Sequence, residues 1–100
     1  MTEISIKKNN NQIDQITING HSGYKEYGSD IVCSSISSIA ITSINAILKV
    51  DEESLKWEQK DGYLDVKVLK HTDVIDLLLE NMIELLDDLS KQYKNYIKII

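Results

Sequence analysis

One hundred residues give a chain sized for one hydrophobic core, and 42% hydrophobic with 27% charged residues is the balance of an ordinary globular protein. Sixteen acids against eleven bases leave a net charge of −5. That balance argues against a phosphate-binding nucleic-acid protein, which needs clustered Lys and Arg, and suits a basic protein partner instead. The single cysteine excludes an internal disulfide and points to a reducing cytoplasm, and residues 1–8 lack the apolar run of a signal peptide.

Ile4 and Ile6 alternate with Ser5 and Lys7, and Ile16 and Ile18 alternate with Gln15 and Thr17. With Asn9-Asn10-Asn11 as the turn, the two runs predict a β-hairpin with one apolar face. A loop over 19–29 follows, carrying three of the four glycines and His21. The next element is a helix from about Asp30 to Val50. It has no charged residue between Ile31 and Leu48, so it is expected to pack on more than one face. Its length suits a membrane span, but seven Ser, Thr or Asn residues assign it to a soluble core.

Asp51-Glu52-Glu53 oppose the dipole of that helix and belong to a solvated connection. Leu55 and Trp57, then Asp61-Gly62, then Leu64, Val66 and Val68 spell a second hairpin, because Asp-Gly between alternating runs is a strong hairpin signal. Thr72 is placed as the N-cap of a second helix, with apolar residues at 75, 78, 79, 82, 85, 86 and 89 on one stripe. His71, just before it, reads as a solvated loop residue. Tyr96 to Ile100 closes the chain as a short strand. The order ββαββαβ predicts a single α+β domain over 1–100: one antiparallel sheet with both helices on one face.

The chemistry gathers at the first helix. With Asp30 as N-cap, Cys33 is the third helical residue, where a thiolate faces the positive end of the helix dipole. His21 is joined to it by a glycine-containing loop that can bring an imidazole to the sulfur. Gly20, Gly23 and Gly28 supply flexibility and, with the helix N-terminus, backbone N–H groups for an oxyanion. Ser37 lies one turn beyond Cys33, either shaping the site or bonding back to the Cys33 carbonyl. Tyr24 and Tyr27 either meet a substrate or pack on the loop. Each residue alone has a plainer reading: a lone apolar-helix cysteine is usually inert core, and a loop histidine is usually solvated. One Cys and two His lack metal-ligand spacing, and nothing calls for a cofactor.

Taken together, Gly20-His21, then Tyr27-Gly28-Ser29-Asp30-Ile31-Val32-Cys33, then Ser37 and Ser43-Ile44-Asn45-Ala46-Ile47, resemble the ribosomal-processing cysteine protease family Prp. The resemblance implies a cytoplasmic, homodimeric endopeptidase that removes an N-terminal extension from a basic ribosomal protein of the bacterial large subunit. The acidic charge and the polar residues of the first helix make direct binding of nucleic acid or membrane unexpected. His21 and Cys33 match the catalytic pair, and Gly20, Gly28, Asp30 and Ser37 match the surrounding motif. The alternative is a non-catalytic, ribosome-associated binding module of the same fold, for which Cys33 should be fully buried.

Overall fold

Strand β1 (Thr2–Asn9) turns into β2 (Gln12–Asn19), and helix α1 (Ile31–Val50) follows. A second hairpin, β3 (Leu55–Lys60) and β4 (Tyr63–Val68), leads to helix α2 (Asp73–Gln92) and the short β5 (Ile97–Ile99). The computed structural model describes residues 1–26 and 30–100.

The first turn is tight because Asn10 and Asn11 both take left-handed backbone angles (φ 53° and 65°), which asparagine tolerates better than most residues. A bulge between Lys7 and Lys8 then shifts the β1–β2 register. The five strands form one sheet in the order β3-β4-β2-β1-β5. Three of the four pairings are antiparallel, and β5 joins the β1 edge in parallel. The sheet is therefore mixed, because the chain returns from α2 along the direction of β1.

Register puts the alternating apolar residues on one face: Ile4 opposite Ile18, Ile6 opposite Ile16, and Ile16 and Ile18 opposite Val66 and Leu64. Both helices cover that face. Ile75, Leu79, Met82 and Leu86 form the buried stripe of α2, whose N-cap Thr72 accepts the Ile75 N–H at 3.2 Å. In α1 a single stripe, Val32, Ile36, Ala40, Ile44 and Ile47, is buried. The expectation that α1 packs on more than one face holds only in that Ile39, Ile41 and Leu48 flank this stripe half-buried. Ser34, Ser37, Ser38, Thr42 and Asn45 are exposed, so the helix has a water-facing side that is uncharged.

The opposite face of the sheet is polar. There Asp65, almost fully buried, accepts hydrogen bonds from Gln15 Nε2 and Thr17 Oγ1, both at 2.8 Å. His71 also departs from its reading as a solvated residue. Its Nδ1 lies 2.7 Å from Asp76 and its Nε2 3.1 Å from Asp14, tying the start of α2 to β2. Hydrogen bonding to the Asp76 carboxylate raises the imidazole pKa against the cost of burial, with Asp14 adding to the rise.

Candidate active site

Because β2 pairs with β4, the end of β2 meets the β3–β4 turn, and the chain leaving β2 is held there. The Gly20 N–H donates to the Gly62 carbonyl at 2.8 Å. Gly20 itself sits at φ +93°, and a Cβ on it would lie 2.8 Å from the Met1 carbonyl oxygen. Only glycine fits between the start of β1 and this turn without strain. His21 comes next, half exposed, with Nε2 3.8 Å from the Asp61 carboxylate.

Ser22 turns inward. It is 2% exposed; its hydroxyl donates to Asp30 Oδ2 and accepts the Tyr24 N–H at 3.2 Å. Its own N–H donates to Cys33 Sγ at 3.2 Å. Tyr24 then packs edge-on against Tyr93 and Tyr96, with ring centroids 5.7 and 5.2 Å away. It packs on the chain after α2 and not, as one of its two readings had it, on its own loop. Gly28 and Tyr27 lie outside the described residues.

Asp30 caps α1 as expected. Its Oδ1 accepts the N–H of Val32 at 2.9 Å and of Cys33 at 3.0 Å, so two amides of the first turn are already engaged. Of the helix-entrance amides expected to serve an oxyanion, those of Val32 and Cys33 are therefore bound to the cap. Burial alone would push the Asp30 carboxyl up. The Ser22 hydroxyl, the Cys33 amide and thiol and the Val32 amide more than offset that and hold it below the ordinary carboxylate range.

Cys33 is half-buried, not sealed in the core, which counts against an inert structural thiol. Its sulfur and His21 line the same cleft of about 500 Å3, floored by Ile18, Ile36 and Leu64. Gly20, Ser37, Asp61, Gly62 and Tyr63 also line it. Ser37 is exposed, and among the described residues its hydroxyl makes no bond to the Cys33 carbonyl. Ser34, Ser35 and Ser43 are the ones that bond back to a carbonyl one turn earlier. No group of His, Cys, Asp and Glu suited to a metal ion occurs among the described residues.

Three residues of the site escape a reading of the sequence. Ser22 looks like loop spacer, although its hydroxyl bonds both the cap and the loop. Asp61 and Gly62 carry only a turn signal, and their approach to His21 follows from β2 pairing with β4.

The family model described as "Cysteine protease Prp" matches residues 1–98. A ribosomal processing cysteine protease Prp from Staphylococcus aureus is 26% identical over 91 residues, covering 88% of this chain and 86% of that protein. The Bacillus subtilis protein of the same name is 23% identical over 107 residues, covering 99% and 96%. Two crystal structures of the essential ribosomal processing protease Prp from S. aureus share the fold. The one with a covalently linked product peptide has a TM-score of 0.93 at 26% identity and covers 99% of this chain and 97% of its own. The other, with a substrate peptide, has a TM-score of 0.88 at 25% identity and covers 100% and 98%.

Proposed function

The chain belongs to the cysteine protease Prp family and is a cysteine protease, and from that premise we propose that Cys33 and His21 form its catalytic pair. The reaction is endoproteolytic and removes the N-terminal extension of a bacterial large-subunit ribosomal protein. The observation that carries this reading is the cleft: Cys33 and His21 line one cavity together with the apolar Ile18, Ile36 and Leu64.

In the reaction, Cys33 Sγ bonds to the scissile carbonyl carbon as His21 takes the thiol proton. The tetrahedral adduct collapses by breaking the C–N bond, and His21 returns the proton to the leaving amine. Water then attacks the thioester, again giving a proton to His21, and the carboxylate product leaves as the thiol reforms. With the Val32 and Cys33 amides bound to Asp30, the Ser22 N–H is the donor at the reacting sulfur. Asp30, through Ser22 and the helix cap, fixes where the sulfur sits. Gly20 and Ser37 shape the remainder.

The net charge of −5 draws a basic ribosomal protein and disfavours direct contact with nucleic acid. Helix α1 is long and apolar enough to cross a membrane, but its buried stripe is part of the core, which supports a protein acting off the membrane, in the cytoplasm. The uncharged outer side of α1 and the exposed Val74, Leu77 and Leu85 of α2 support a homodimer.

The test is cleavage of a peptide carrying the ribosomal-protein extension, near neutral pH with reductant. Cleavage by the native chain, and none by Cys33→Ser or His21→Ala, is expected. A peptide left intact, or cut equally by Cys33→Ser, overturns the reading.

A further inference from the structure

We propose that the β3–β4 turn is a platform for the active-site imidazole, with Asp61 as a positioning residue that holds the His21 ring against it. The inference rests on the proposed role of His21 as the proton carrier. Three observations converge on it.

The Asp61 carboxylate lies 3.8 Å from His21 Nε2, within ion-pair range. Lys60, the adjacent base, does not neutralise it, because its ammonium is paired with Glu58 at 3.0 Å. The second observation is Gly62, at φ +67°. A Cβ there would lie 3.0 Å from His21 Nε2 and 3.4 Å from Cδ2, so the imidazole rests on the turn where a side chain would stand. The third is the hydrogen bond from the Gly20 N–H to the Gly62 carbonyl, which fastens the residue before His21 to the same turn. All of these groups line the cleft that holds Cys33.

The chemistry gives the turn its use. A Cys–His pair works through a thiolate and an imidazolium, and the cation must persist until the leaving amine takes its proton. A carboxylate beside Nε2 holds the ring against the turn, so that the imidazole keeps one orientation towards the cleft. This is the general arrangement of a base oriented by a third group. Asp61 is well exposed, so the stabilisation is modest and screened by salt.

The experiment compares Asp61→Asn, Asp61→Glu and the native chain on the cleavable peptide at low ionic strength and at about 1 M salt. Asparagine suits a tight turn as well as aspartate does, so the substitution removes charge and spares the fold. Asp61→Asn is expected to lower kcat about two- to fivefold with KM unchanged at low salt. Asp61→Glu should restore most of the loss, and high salt should erase the difference. A native kcat for Asp61→Asn at low salt overturns the proposal, as does a change confined to KM, which would make Asp61 a substrate contact. If His21→Ala keeps native turnover, the catalytic pair itself fails. If His21→Ala is inactive while Asp61→Asn is native, only the platform fails.

Discussion

Replacing Ser22 by alanine tests whether the site and the helix cap are one unit. The hydroxyl is buried, donates to the Asp30 carboxylate and accepts the Tyr24 N–H. A hydrogen bond to a charged group contributes roughly 1.5–3 kcal/mol. The Tyr24 amide belongs to a half-buried loop residue and can turn to water, so the carboxylate bond dominates and a loss of about 2 kcal/mol is expected. In a domain of this size that lowers Tm by about 8–16 °C. The loss should depend on pH. Asp30 is held below its ordinary value, so its contribution is present above the unfolded carboxylate pKa of about 4 and disappears as pH falls through the folded value. The gap between Ser22→Ala and the native chain should therefore be full at pH 7 and narrow on acidification below about pH 4. Thermal melts followed by circular dichroism across that range measure it. A gap below about 0.5 kcal/mol at pH 7, or one that keeps its size in acid, would refute the coupling of Ser22 to an ionised Asp30.

His71→Gln should show the opposite sign. The His71 pKa is raised, so its ion pairs stabilise the fold fully below about pH 6.5 and are lost as pH rises through the folded value. Urea titration should find the variant less stable by about 1.5–2 kcal/mol at pH 6, the better-exposed Asp14 adding little, and the deficit should shrink in alkali. An equal deficit at both ends contradicts the assignment. Gly20→Ala must strain the backbone at φ +93° or push away the Met1 carbonyl, a cost of about 1–3 kcal/mol. An unchanged melting temperature would show that the β1 start yields freely.

Local pattern made the elements legible. Ile4, Ile6, Ile16 and Ile18 and the Asp61-Gly62 turn declare their hairpins, and Asp30 declares its cap through its position before Ile31-Val32-Cys33. The parallel pairing of β5 was not legible, because three residues carry no sign of which strand they will join. The lack of charge on α1 misleads about burial for a specific reason. Ser37, Ser38, Thr42 and Asn45 carry hydroxyl and amide groups that water solvates, so a side of the helix can be exposed without any formal charge. His71 could not be read because Asp14, one of its two partners, lies far away in sequence and reaches it only through the sheet. At the site, the residue types of the motif identified His21, Asp30 and Cys33. Ser22 and Asp61 depend on which segments the fold makes neighbours.

Tyr24, wedged against Tyr93 and Tyr96, makes the seating of its segment wait on the last-made part of the chain. A growing polypeptide displays residues 20–24 long before the two aromatic rings that brace them have been made. Until those rings arrive Tyr24 has no partner there, and trimming them from a finished chain should loosen it again.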